Sequence, residues 1–149
     1  MRSFKFFSTS FLVVIFFLLS GCDSSQEKSC PQCHMPVTSF IHSAKIVLDD
    51  ELYFDDIGCM VLYLKENDLN LESSHAVVFT NDTKAYVDAS KAYYRLGEDT
   101  PMRYGFGAYE FAVDGTMRFG EVYLKMLRGE NMANPKIRKK IKLAGVYER

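Results

Sequence analysis

The chain is 149 residues long, carries a formal net charge of −1 and is 48% hydrophobic. That length suits one compact domain or two small packed halves. A nucleic-acid partner would need a strongly basic surface, so the nearly balanced charge excludes nucleic-acid binding as the leading interpretation.

The first 21 residues have the features of a lipoprotein signal peptide. Arg2 and Lys5 precede an unbroken apolar run at residues 11–19, which ends in Leu-Ser-Gly and then Cys22. A basic start, a short apolar run and small residues at the cleavage site are typical of a secretory signal, and a membrane span needs about 20 apolar residues. Leu-Ser-Gly-Cys resembles a bacterial lipobox, which implies cleavage before Cys22 and lipid on its sulfur. A retained anchor helix and a plain signal are the alternatives. We expect a lipid-anchored protein on the periplasmic side of the cell membrane.

Residues 22–36 are predicted to be a lipidated tether followed by a metal-binding segment. Cys30, Cys33, His34 and Met35 fall within six residues, and thiolate and thioether sulfur are soft donors that favour Cu(I). The same letters read Cys-x-x-Cys-His, the attachment signature of c-type haem. A thiol–disulfide oxidoreductase is a third interpretation, although such a motif normally opens a helix after a strand.

The cysteine count argues against a simple disulfide scaffold. With Cys22 lipidated, Cys30, Cys33 and Cys59 remain. An odd number of thiols in an oxidising compartment leaves at least one to stay free, bind a metal or pair with another chain. Cys59 lies in an apolar run, and we interpret it as a small buried hydrophobic residue.

Beyond the tether the chain repeats a pattern at an interval of 65 residues, at 46–54 and again at 111–119. Each copy predicts a β-hairpin that leads into a helix, with Asp49-Asp50 and Asp114-Gly115 at the turns. Apolar residues recur at i, i+3, i+4 and i+7 from Ile57, as in a helix that faces a core. We therefore expect an α+β fold of two related small β-hairpin–helix units (ββα or ββαβ-like), at residues 37–83 and 84–149.

The remaining elements are predicted from local signals. Residues 76–79 and 85–88 are expected to be strands joined by a turn at Asn81-Asp82, and residues 90–96 a short helix. Pro135 at the first helical position predicts a C-terminal helix over 134–143. Its basic residues could meet anionic lipid or an acidic partner, although a solvated helix face is the simpler interpretation.

Two methionines stand apart from the predicted core. Met35 lies 11 residues before position 46 and Met102 lies 9 before position 111, so both precede the first strand of their unit. Each adjoins a proline, which favours a loop. If the units pack about a pseudo-twofold axis, a shared metal site would form from Cys33, Met35 and Met102, with Cys30 and His34 as additional candidates.

Five segments together resemble the nitrous-oxide reductase accessory lipoproteins, the NosL family. They are the lipobox ending at Cys22, Cys33-His34-Met35, Tyr53-Phe54-Asp55-Asp56, Tyr86-Val87-Asp88-Ala89 and Pro101-Met102-Arg103-Tyr104-Gly105. The resemblance covers nearly all of the mature chain, in order. It implies a membrane-anchored, periplasm-facing Cu(I) metallochaperone that delivers copper to nitrous-oxide reductase beside an ABC-type membrane complex, in denitrification.

The resemblance also assigns residues. The Cys-x-Met motif of the family maps onto Cys33 and Met35, and its downstream methionine onto Met102. Where the family commonly has glycine between cysteine and methionine, this chain has His34, and that departure creates the haem-like signature.

The main rival interpretation is a monohaem cytochrome c. Cys30 and Cys33 would bind the haem vinyl groups, and His34 and Met102 would be the axial ligands. Small cytochromes c are mostly helical, whereas this chain predicts two hairpin-containing units. We expect a copper-binding protein that is not an enzyme.

Overall fold

The computed structural model describes residues 28–145 and confirms the α+β class. In chain order the strands are β1 (Ala44–Val47), β2 (Glu51–Phe54), β3 (Val77–Phe79), β4 (Tyr86–Asp88), β5 (Tyr93–Leu96) and β6 (Phe106–Tyr109). The helices are α1 (Ile57–Glu66), between β2 and β3, and α2 (Phe119–Leu127) and α3 (Pro135–Leu143), after β6. The predicted signal peptide and the lipidation site Cys22 lie outside the described residues.

The first hairpin–helix unit forms where the sequence predicts it. β1 and β2 pair antiparallel, with Ala44 opposite Phe54 and Val47 opposite Glu51. The turn between them contains Asp49-Asp50. Two residues after β2, Asp56 caps α1 by accepting a hydrogen bond from the backbone N–H of Gly58 at 2.8 Å. A short β2–α1 connection therefore fixes the start of the helix beside the end of the strand.

The first hairpin belongs to a four-stranded antiparallel sheet with the order β2-β1-β3-β4. β3 pairs with β1 and with β4, and the β3–β4 connection contains the predicted Asn81-Asp82 turn. Position 83, where the first predicted unit ends, lies inside this connection. The two strands on either side of that position therefore share one sheet.

The second sheet corrects the helix predicted at residues 90–96. Tyr93–Leu96 form β5, which pairs antiparallel with β6 so that Tyr94 lies opposite Ala108. Tyr94 is fully buried, and its hydroxyl donates to the carbonyl of Ala89 at 2.7 Å. Aromatic residues favour strands, and the pairing with β6 stabilises this conformation over a helix.

The second hairpin is likewise displaced from its predicted position. Residues 111–119 contain a turn at Asp114-Gly115, but Met117 pairs with Tyr94 of β5 instead of with its own segment. Phe111 and Val113, predicted strand residues, are exposed. The hairpin of the second unit is formed by β5 and β6, and nine residues separate β6 from α2.

The core lies between the sheets and the first two helices. α1 buries Ile57, Met60, Val61 and Leu64, as its apolar pattern predicts, and α2 buries Val122 and Met126. α3 begins at Pro135, as predicted, and has no buried residue. Within residues 28–145, the helices are too short and too polar to cross a membrane.

Candidate metal site

A tight turn at residues 30–36 positions the first two thiols. The N–H of Cys30 donates to the carbonyl of Met35, and the N–H of His34 donates to the carbonyl of Cys30, both at 2.9 Å. Ser29 and Pro36 form a bridge that closes the base of the turn. The two cysteines therefore lie inside a loop with its own backbone hydrogen bonds, where Cys30 is buried and Cys33 is partly exposed.

The start of α1 supplies the third thiol and a carboxylate. Asp55 immediately precedes the capping residue Asp56, and Cys59 occupies the first turn of the helix. All three are buried. The partial positive charge of a helix N-terminus favours anionic groups there, which suits a thiolate and a carboxylate.

Packing of the turn against α1 brings four ligand atoms together. The sulfurs of Cys30, Cys33 and Cys59 and a carboxylate oxygen of Asp55 lie within 4.8 Å of one another. Cys33 Sγ donates a hydrogen bond to Asp55 Oδ1 at 3.3 Å. All three cysteines are free thiols. This Cys/Asp cluster could hold a metal ion, because its donors converge and no disulfide blocks them.

The thiols of the cluster differ in acidity. Hydrogen bonds from the Cys59 thiol and from the backbone N–H groups of Cys33 and Asp55 together lower the pKa of Cys30 to about 6, against the opposing effect of burial. The same thiol–thiol hydrogen bond, together with burial, raises the pKa of Cys59. Burial raises the pKa of Cys33 to about 11. Cys30 is therefore the most acidic thiol of the cluster, and an incoming metal would displace protons from the thiols as it binds.

The loop that carries Met102 is tied to the same helix start. The backbone N–H of Met102 donates to Asp56 Oδ2 at 3.1 Å, and the Thr100 hydroxyl donates to the same carboxylate. Burial raises the pKa of Asp56 to about 6. One buried carboxylate thus holds both the first turn of α1 and the Met102 loop.

Tyr104 locks this loop against α1. Its ring lies over Gly58 so closely that a Cβ there would stand 2.3 Å from Tyr104 Cδ2. Glycine is required at position 58 for this close approach. Burial raises the pKa of Tyr104 to about 12, so its hydroxyl stays neutral.

The predicted ligands occupy three different environments. Cys33 and Cys30 belong to the four-residue cluster. Met35, on the same turn, is 53% exposed, and Met102 is half-buried against the core. His34 is exposed and has a left-handed backbone, with φ of 62°.

Two members of the cluster were not predicted as ligands from the sequence. Cys59 is buried, as expected, but its sulfur lies with the other thiols, and a carboxylate oxygen of Asp55 lies beside them. The odd thiol count was the one signal that pointed to Cys59. Nothing in the local sequence pointed to Asp55, because its approach to Cys33 spans 22 residues.

No protein-family model, no curated protein and no solved structure matches this chain.

Proposed function

We propose that the protein is a Cu(I)-binding metallochaperone whose metal is held by the thiols of Cys30, Cys33 and Cys59. The observation that carries this proposal is the convergence of three unpaired thiols and the Asp55 carboxylate within 4.8 Å. Binding and transfer of the ion constitute the function, with no chemical reaction assigned to the protein.

The donor set favours copper in its reduced state. Three thiolates are soft ligands, and Cu(I) prefers sulfur to oxygen. A carboxylate is a hard donor, so Asp55 would act on copper indirectly, by accepting the hydrogen bond from Cys33 before the metal arrives. Zn²⁺ is the competitor to test, because it accepts sulfur and carboxylate oxygen in a tetrahedral site.

The arrangement suits a metal that must leave again. Cys30 and Cys59 are fully buried, whereas Cys33 is partly exposed and Met35, two residues on, is more than half exposed. We assign Met35 and Met102 as soft ligands on the side from which copper enters and leaves. Few ligands of graded exposure would allow a partner to displace them one at a time.

The recipient and the location come from the family resemblance. On that basis the copper is destined for nitrous-oxide reductase, and the chaperone works beside an ABC-type membrane complex. Lipid on Cys22 would hold it on the periplasmic side of the cell membrane.

The buried sulfur of Cys30 favours metal binding over haem attachment. Its thiol is 0% exposed and accepts a hydrogen bond from Cys59, so attachment to a haem edge would require the turn to move away from α1. The cytochrome interpretation is retained as an outcome of the test.

The test is a Cu(I) titration of the full chain under anaerobic, reducing conditions, in competition with a chromophoric Cu(I) chelator. The protein should be produced with cytochrome c maturation active. We expect a colourless protein that binds about one equivalent of Cu(I) and prefers it to Zn²⁺. Cys33→Ser should abolish tight binding. A Soret band on the purified protein, or unchanged affinity in Cys33→Ser, would contradict the proposal.

The two methionines need separate variants. Met102→Leu should weaken Cu(I) binding by about tenfold, since a thioether contributes less than a thiolate, and Met35→Leu should mainly speed transfer to the chelator. Met60→Leu, a change at a fully buried methionine of α1, is the matched control. If Met102→Leu behaves like this control, the shared-site prediction is wrong while the thiol cluster stands.

A further inference from the structure

The C-terminal helix α3 concentrates positive charge. Five of its nine residues are lysine or arginine, and the sequence has no acidic residue between positions 131 and 145. Because the whole chain carries −1 and this helix carries +5, the other residues together carry −6. The charge of α3 is thus a local feature of an otherwise acidic protein.

One face of α3 is left to solvent. Lys136, Lys139 and Lys140 are exposed, and their i, i+3, i+4 spacing places them on one side of the helix. Leu143, one further turn along that side, is 79% exposed. The opposite side carries Ile141, which is partly buried. The outward face therefore combines three ammonium groups with one large apolar side chain.

The hydrogen bonds that position α3 do not use the side chains of that face. The side chain of Asn134 caps it by accepting from the N–H of Lys136 at 3.0 Å, and Arg138 donates to the carbonyl of Met132 at 3.2 Å. Lys136 and Lys140 stand at i and i+4, where like charges destabilise a helix. An anionic surface against this face would remove that repulsion.

We propose that the α3 face formed by Lys136, Lys139, Lys140 and Leu143 rests on a membrane surface that contains anionic lipid headgroups. Lysines act as flexible point charges, which suits a fluid array of headgroups, and an exposed leucine suits the boundary between headgroups and acyl chains. An acidic protein is the competing partner, but it offers no role for Leu143. The proposal rests on the proposed membrane attachment and is independent of copper.

The test follows the acetylation rate of individual lysines by mass spectrometry. The full chain is mixed with excess nanodiscs of phosphatidylcholine, either alone or with phosphatidylglycerol. Phosphatidylglycerol should slow acetylation of Lys136, Lys139 and Lys140 by at least about threefold. Raising the salt to about 0.5 M should restore the rate, because the Debye length shortens. Lys65, Lys84 and Lys91, exposed elsewhere on the same molecule, serve as internal controls.

A pair of leucine variants completes the experiment. Leu143→Ser should reduce the protection by phosphatidylglycerol, whereas Leu48→Ser, at an exposed leucine of the first hairpin, should not. Equal acetylation on the two kinds of disc would overturn the proposal, and protection by soluble polyglutamate but not by discs would assign the face to an acidic protein. Neither result depends on copper, so failure here is distinguishable from failure of the metal site.

Discussion

The first turns of α1 and α2 were predicted as equivalents but differ in almost every polar contact. α1 begins with a buried aspartate that accepts hydrogen bonds from its own backbone and from the Met102 loop. α2 begins after Arg118, whose side chain makes no capping hydrogen bond. Cys59 of α1 is fully buried, whereas Leu124, which aligns with it, is 48% exposed. Two helices can therefore share an apolar pattern while only one of them begins beside a cluster that could hold a metal ion.

The largest effect should come from exchanging the aligned residues Cys59 and Leu124 for serine. Cys59→Ser removes one of three thiols, and we expect Cu(I) affinity to fall at least about 1,000-fold, or about 4 kcal/mol. Leu124→Ser should leave the affinity unchanged, because it is not part of the cluster. The chelator competition described above measures both. Equal affinities would show that Cys59 is not a ligand and that the two helix starts are alike in function.

The next test compares two helix caps. Asp56→Ala removes the cap of α1 and the acceptor for the Met102 backbone, and we expect a loss of about 2–4 kcal/mol in the free energy of unfolding. Asn134→Ala removes the cap of α3, which is only partly buried, and should cost about 1 kcal/mol. Urea unfolding followed by circular dichroism gives both values. Because Asn134 also donates to the carbonyl of Gly129, equal losses would show that burial and the Met102 contact give Asp56 no advantage over an ordinary cap.

Glycine-to-alanine substitutions at the two helix starts should change the stability of the protein in opposite directions. Gly58→Ala would place a methyl group 2.3 Å from the Tyr104 ring, so we expect a loss of about 1–3 kcal/mol from overpacking. Gly120→Ala meets no atom within 4 Å and should stabilise by about 0.5–1 kcal/mol, the usual helix-propensity gain. Thermal unfolding of both variants measures the two changes in stability. Stabilisation by both would mean that Tyr104 moves freely and does not lock the loop.

The smallest effect is expected at Asp82, and it tests whether burial accounts for the large contribution of Asp56 to stability. Asp82 is an exposed carboxylate that accepts from the backbone N–H groups of Thr83, Glu110 and Phe111. Burial alone would raise the pKa of Asp82, but these hydrogen bonds outweigh it and the pKa lies below its usual range. The stabilisation should therefore be complete above about pH 5 and disappear as pH falls below the usual value of about 3.9.

Asp82→Asn measures that contribution. We expect a loss of about 1 kcal/mol at neutral pH, since exposed interactions are weakened by solvent, and no difference from the parent chain near the acid limit of folding. Unfolding in urea at several pH values provides the comparison. A loss as large as that of Asp56→Ala would mean that exposure does not weaken such a carboxylate.

The parts of the fold that could be predicted are those determined locally. The Asp49-Asp50 turn, the Ile57 apolar pattern and Pro135 each act within a few residues, and the structure has the elements that they predict. The Asp114-Gly115 turn also forms, but Met117 pairs with Tyr94. Turn chemistry specifies where the chain reverses, whereas the strand partner depends on distant residues that compete for the same backbone groups.

The residues of the site can likewise be separated into those determined locally and those brought in by packing. Cys30 and Cys33 could be recognised from their spacing because one turn holds both. Asp55 and Cys59 join them only through packing of that turn against α1, and no local pattern encodes a contact between segments 22 or more residues apart. Burial was predicted correctly for Cys59, but burial alone does not distinguish a core residue from a ligand.

The left-handed backbone at His34 bears on the interpretation of the Cys-x-x-Cys-His motif. A φ of 62° costs most residues energy and costs glycine almost none. The turn therefore requires a left-handed backbone at position 34. This requirement does not involve the exposed imidazole of His34. His34→Gly is accordingly the substitution that this turn should accept most readily.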